Sequence, residues 1–314
     1  MSSDKKKHSH HHDHREREAA TESSSSPASR GDAGREGDRV AYAEFKILLR
    51  PEEMRRLQQA HVLWQHVEQA ANQMKVEFTP LPGDPPIRQR DILFYDTPDF
   101  RLYENHFILR RRTHYQDGWT RTHDELTFKF RHADEGVVSG IDVHPGISVR
   151  SRVKFKREIL PETTRVGAIR HIYAKNCIMD MPPLGEAFSA ATALEFFPVL
   201  ASLDVAHETP IALVNRVTVS ESLTEFGRIN FGHGMEGMVG LALWRDSDSG
   251  GPIVAELGFQ LRFDALSPAV ESTLAHAEEF FRVTQHCIAP WLYLGTTKTN
   301  LVYRHGGHEV GNRE

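Results

Sequence analysis

From about residue 40 onward the chain is dominated by alternation of polar and apolar residues with a period of two, the signature of strands that bury one face. In VAYAEFKILL, Tyr42, Glu44 and Lys46 fall on one face, with Ala43, Phe45 and Ile47 on the other. In ILRRR, Arg110 and Arg112 share a face while Arg111 points away. ELTFKFR sets Glu125, Thr127, Lys129 and Arg131 against Leu126, Phe128 and Phe130. SRVKFKREI sets Arg152, Lys154, Lys156 and Glu158 against Val153, Phe155 and Arg157. In IALVNRVTVSES, Arg216, Thr218 and Ser220 alternate with Leu213, Val217 and Val219, and Asn215 breaks the apolar face. FGRINFG puts Arg228 and Asn230 together, and PIVAELGFQLRF alternates Glu256, Gly258 and Gln260 with Leu257, Phe259 and Leu261.

Helical spacing is confined to a few segments. Pro51 opens one helix, in which Glu52 and Glu53 suit the first turn and Met54, Leu57, Val62, Leu63 and Val67 form the apolar stripe. Ser267-Pro268 opens the last helix, with Val270, Leu274, Ala277 and Phe280 or Phe281 at helical spacing. Residues 163–205 read as mostly helical, residues 80–90 as a turn-rich connection and residues 132–147 as a loop. Asp96 and Thr97 are placed to cap the turn before Pro98. Residues 1–38 hold almost no large apolar side chains and are expected to be a disordered tail, and 305–314 a second polar tail. The tract His8, His10, His11, His12 and His14 is compatible with zinc or nickel binding, or with a plain solvated tail.

One sheet half exposed to water would explain any single strand of this kind. The polar faces, however, favour Arg and Lys with isolated Glu over the mixture typical of a free surface. A closed barrel with a charged lumen accounts for that bias and also removes the sheet edges. The 314 residues, 39% hydrophobic, suffice for a sizeable core, and residues 39–304 are expected to form one α+β domain. With a net charge of −5, mildly acidic overall, nothing argues for general nucleic-acid binding. No apolar run reaches the ~18–20 residues of a membrane span, and no apolar stretch follows the basic N-terminus as in a secretory signal. The two cysteines, Cys177 and Cys287, have no metal spacing and fit a reducing compartment, so a cytoplasmic location is expected.

Five features in order resemble the CYTH superfamily, the triphosphate tunnel metalloenzymes, which includes class IV adenylyl cyclases, thiamine triphosphatases and inorganic triphosphatases. AEFK is similar to the family's Glu-x-Glu-x-Lys opening strand. FYDTPDFRLYENHFILRRR resembles its Tyr-Asp-Thr-Pro segment and Leu-Arg-x-Arg strand, and ELTFKFR its Leu-Thr-x-Lys strand. FKREI and TTKTNLVY are similar to its basic-x-Glu strand and its late lysine. The resemblance implies a closed antiparallel β-barrel of roughly eight strands with flanking helices, whose lumen holds a triphosphate. It also implies that Lys46, Arg110, Arg112, Lys129, Lys156, Arg228 and Lys298 contact phosphate, with Arg216 added by alternation. A triphosphate carries about four negative charges, which a confined site must neutralise with positioned Lys and Arg. Glu44, Glu158 and Glu256 would hold Mg²⁺ or Mn²⁺, and Glu44, Lys46 and Glu158 would be catalytic.

The chain departs from that pattern. Tyr42 replaces the first glutamate of the opening motif, and Gly258 and Gln260 stand where the late strand repeats Glu. The phosphate-binding half is complete and the metal half is depleted. Three functions follow, the first being the one expected and the other two its alternatives. They are metal-dependent hydrolysis of a triphosphate, a non-catalytic polyphosphate- or nucleotide-binding module, and a class IV-like adenylyl cyclase; nothing in the sequence speaks for the adenine recognition the last requires.

Overall fold

In chain order the strands are β1 (Tyr42–Leu49), β2 (Glu77–Pro80), β3 (Ile87–Asp96), β4 (Phe107–Gln116), β5 (Trp119–Thr120), β6 (Glu125–His132), β7 (Ser151–Pro161), β8 (Ile169–Asp180), β9 (Phe188–Ser189), β10 (Pro210–Asn230), β11 (Glu236–Asp246) and β12 (Pro252–Arg262). The helices are α1 (Leu57–Met74), α2 (Arg101–Glu104), α3 (Glu135–Ser139), α4 (Ala190–Phe196), α5 (Pro268–Cys287) and α6 (Lys298–Tyr303). This computed structural model describes residues 37–83, 85–121, 123–182, 184–185, 187–311 and 313. The expected disordered tail, His tract included, lies outside the described residues except for Gly37 and Asp38.

Nine strands close a barrel in the order β11-β12-β1-β7-β8-β6-β4-β3-β10, and β10 pairs back onto β11. Closure pairs both edges of the barrel strands, so the alternation seen in sequence separates an outer apolar face from an inner polar one. The barrel is mixed rather than wholly antiparallel, because β1 and β7 run parallel, with Glu44 beside Glu158 in the register. On the outside, α1 and α5 pack together and cover the sheet. Leu63, Val67, Ala70 and Ala71 of α1 and Leu274, Ala277, Phe280 and Phe281 of α5 are buried in the main core with Phe45 and Phe259. Each of the large side chains contributes about 1.5–3 kcal/mol by leaving water. Ser267 caps α5 by accepting from the Val270 amide, with Pro268 in its first turn.

Several boundaries differ from the sequence reading. Pro51–Met54 is a separate 3-10 turn, α1 begins at Leu57, and Val62 of the expected apolar stripe is exposed. The turn-rich connection gives way at Ile87 to β3, whose outer end, IRQR, is polar on both faces and so carries no alternation. The expected helix over TTRVGAIRHIYAKN is instead the barrel strand β8, paired along its length with β7 and over its C-terminal part with β6. Its Ala174, Lys175, Asn176 and Cys177 are all buried, which erases the period-two signal. Among the described residues of 163–205, helical structure is limited to α4 and a 3-10 segment, Pro198–Leu203.

The long strand β10 is broken in its first half. Asn215 and Arg216 adopt left-handed backbone (φ 51° and 56°), and pairing with β3 resumes at Thr218. The Asn215 side-chain amide donates to the carbonyls of Val302 (2.9 Å) and Tyr303 (2.8 Å), tying α6 to the kink. The Tyr303 hydroxyl donates to buried Asp96 at 2.8 Å. Asp96 also accepts from the Thr97, Leu102 and Tyr103 amides, so the Asp-Thr-Pro turn nucleates α2 and anchors α6. Burial raises Asp96 to about 6 against these donors.

Candidate functional site

Alternation in nine strands delivers one set of side chains to the lumen, which holds a cavity of about 200 Å³. Nine basic residues line it: Lys46 of β1, Arg90 of β3, Arg110 and Arg112 of β4, Lys129 and Arg131 of β6, Lys156 of β7, Arg170 of β8 and Lys298 at the start of α6. Glu44 and Glu256 also line it. Thr127, Asn176 and Trp244 complete the polar wall. Further along, the inward face turns apolar. There Leu48, Ile92, Phe94, Ile108 and Val254 pack with Val302 and Tyr303 of α6.

The carboxylates are each engaged by cations. Glu158 is fully buried and accepts from Lys46 (2.9 Å), Lys129 (2.8 Å) and Arg131. Burial alone pushes its carboxyl up, but Arg131, Lys129 and Lys46 outweigh that and hold it well below the usual carboxylate range. Glu44 lies 2.9 Å from Lys46 and 3.2 Å from Lys156, and these lysines likewise overcome the effect of burial and depress it. Between the two glutamates Lys46 is held above its ordinary value, despite burial. Glu256 pairs with Lys298 at 2.6 Å, and the Lys298 ammonium sits 4.6 Å from the Trp244 ring centre.

A second buried hub is Glu221 of β10, 1% exposed, which pairs with Arg90 and accepts from the Trp244 indole at 2.6 Å. Burial raises it, yet Arg90, Lys298 and Arg112 bring it down to about 2. The sequence reading missed Glu221 because the left-handed pair Asn215–Arg216 shifts the parity of β10. Val219 and Glu221, not Thr218 and Ser220, share the inward face. Arg90 and Arg170 were also missed. Arg131 was placed on the correct face but given no role.

The lumen carries positive charge in excess. Arg110 is in no ion pair among the described residues, and burial, Arg112 and Arg90 together lower its affinity for its proton well below normal. Arg112 reaches Glu125 at 3.1 Å, yet its Nε and that of Arg110 are buried without partners. So are Thr127 Oγ1 and Asn176 Oδ1, both from side chains less than 7% exposed. Lys129 shares Glu158 with two other cations and is itself depressed, first by burial and then by Arg131 and Lys46. Such groups are costly to leave unsatisfied, and an anion in the cavity would relieve them.

The structure therefore brings together Glu44, Lys46, Arg110, Arg112, Lys129, Lys156, Glu158, Glu256 and Lys298 of the predicted set. It excludes two. Arg216 is exposed at the β10 kink, and Arg228 is exposed and pairs with Glu236 at 3.2 Å. Both errors come from β10, where the kink at 215–216 and a bulge between Glu225 and Gly227 each reset the alternation.

The donor set does not fit a divalent cation as arranged. Mg²⁺ and Mn²⁺ need hard oxygen donors free to approach closely, whereas Glu44, Glu158 and Glu256 all bond to lysine or arginine. Among the described residues no group of three or more His, Cys, Asp or Glu converges to hold a metal. Gly258, opposite Lys46 in the register, cannot be replaced by an acid without rearrangement, because a Cβ there would lie 2.9 Å from the Phe45 carbonyl oxygen.

No known protein-family model matches the chain, and no curated protein matches it. Solved structures do. A Hippeastrum protein, a candidate adenylyl cyclase with a dominant triphosphatase activity, aligns over 86% of this chain and 98% of its own, at 13% identity and a TM-score of 0.40. A candidate adenylate cyclase from Bacillus halodurans aligns over 78% and 92%, at 15% identity and a TM-score of 0.34. A candidate adenylate cyclase from Vibrio parahaemolyticus aligns over 84% and 98%, at 12% identity and a TM-score of 0.33. At that distance no activity transfers from them. The likeness to the CYTH superfamily rests on this chain's own motifs, whose Arg110, Arg112, Lys129, Lys156 and Lys298 all line the closed barrel.

Proposed function

We propose that the barrel is a receptor for the triphosphate group of a small molecule. One observation carries this reading. Arg110, Arg112 and Arg90 are gathered around a lumen in which, among the described residues, Arg110 is in no ion pair and the Nε atoms of Arg110 and Arg112 have no hydrogen-bond partner. Cations accumulated against their own repulsion need an anion, and a chain of phosphates supplies several acceptor oxygens in a row. The cysteines, both free, fit a reducing compartment, so a cytoplasmic location belongs to the same reading.

Divalent-metal-dependent hydrolysis of that triphosphate is a second reading. It is favoured by Glu44 and Glu158 standing side by side across the parallel β1–β7 pair. It requires a ligand to draw lysines off both carboxylates. Phosphate release from inorganic triphosphate, ATP and thiamine triphosphate, with Mg²⁺, Mn²⁺ or chelator, separates the two. Metal-dependent release lost in both Glu44→Gln and Lys129→Ala supports hydrolysis. Thermal stabilisation by triphosphate without release, abolished by Lys129→Ala, supports the receptor. Neither release nor stabilisation refutes both.

A further inference from the structure

Resting on the receptor reading, we infer that this chain takes its polyphosphate ligand as the free anion, and that Mg²⁺ competes with the protein for it. In the lumen, fixed ammonium groups occupy the carboxylates a metal would need. Lys46 bridges Glu44 and Glu158 at 2.9 Å to each, and Lys298 holds Glu256 at 2.6 Å. Glu158 spends both its oxygens on three cations, and full burial leaves it no water-facing side.

At Gly258, where a further acid would help, a Cβ would lie 2.9 Å from the Phe45 carbonyl oxygen, so no side chain enters without a shift of the β1 backbone. On its Glu158 side the lumen engages both carboxylates, Glu44 and Glu158, with Lys46, Lys129, Lys156 and Arg131, and around Arg110 it is left electropositive with no carboxylate in an ion pair to that residue among the described residues. The complement of that surface is a bare anion. Mg²⁺ binding removes two of the about four negative charges of a triphosphate and claims the same oxygens the guanidinium groups would bond. A metal–triphosphate complex therefore meets the Arg110 cluster with half the charge, and meets no free carboxylate in return.

The test is calorimetric titration of the full chain with inorganic triphosphate. It is run once in chelator and once in saturating Mg²⁺, with NaCl added to match ionic strength so that screening is equal. Binding tighter in chelator by about tenfold or more is the expected result. Affinity equal or greater in Mg²⁺ overturns the free-anion inference and leaves the receptor reading standing. Absence of binding in both conditions overturns the two together. The Arg110→Met variant, checked for folding by its thermal melt, is expected to weaken the chelator-condition binding about 10- to 100-fold. Retention of that binding at the parent's affinity would also overturn the inference.

Discussion

Glu158→Gln is the most informative single change to the fold. The substitution keeps shape and removes one negative charge from a position with no solvent exposure. Three cations, Lys46, Lys129 and Arg131, lose the carboxylate they share. Breaking a buried ion pair by deleting one partner costs about 3–5 kcal/mol, because the surviving charge is left uncompensated. For a domain of this size 1 kcal/mol corresponds to about 2–4 °C, so a fall in Tm of roughly 6–20 °C is expected. Urea denaturation at pH 7 measures the free-energy change directly. Adding Lys129→Met to the variant should recover part of the loss, since it removes one of the stranded charges. Inorganic triphosphate should stabilise Glu158→Gln more than the parent, because the ligand can neutralise the cations that Glu158 abandoned. A loss below about 1 kcal/mol, with no extra stabilisation by ligand, would refute the assignment of Glu158 as the ionic hub of the lumen.

Arg110→Met should leave stability unchanged or raise it by up to about 1 kcal/mol, since a buried charge in no ion pair is removed. The same change should weaken triphosphate binding about 10- to 100-fold, the value of a charge-assisted hydrogen bond, read by titration. Glu221 has a folded-state value of about 2 against an ordinary 4.5. Its stabilisation is therefore complete above pH 4.5 and lost as pH falls towards 2, a change of roughly 3 kcal/mol at about 1.4 kcal/mol per pH unit. Glu221→Gln should flatten the urea-midpoint profile over that range. Asn215→Ala loses two hydrogen bonds and places alanine at φ 51°, so a loss of about 2–3 kcal/mol is expected, with faster proteolysis around α6.

The amount of the site legible in the sequence depended on how regular each strand was. In β1, β4, β6, β7 and β12 the alternation ran unbroken, and every basic or acidic candidate taken from them faces the lumen. In β10 the left-handed Asn215–Arg216 pair reset the count, so Arg216 was placed inside and Glu221 was overlooked. In β8 burial on both faces removed the alternation and left a composition that reads equally well as helix. Arg90 was hidden because its neighbours Gln89 and Asp91 are also polar. The pairing of each glutamate with lysine or arginine was beyond any reading of spacing, since Glu158 and Lys46 lie 112 residues apart. That pairing puts a lysine on each of the three carboxylates, Glu44, Glu158 and Glu256, that the resemblance implies as metal ligands.

The central claim is that the tunnel binds a triphosphate, and the most direct measurement is titration of the purified chain with inorganic triphosphate at low ionic strength. The account predicts saturable one-to-one binding that weakens with added salt and is lost in Lys129→Ala. No heat of binding beyond that given by sulfate at equal concentration would contradict it.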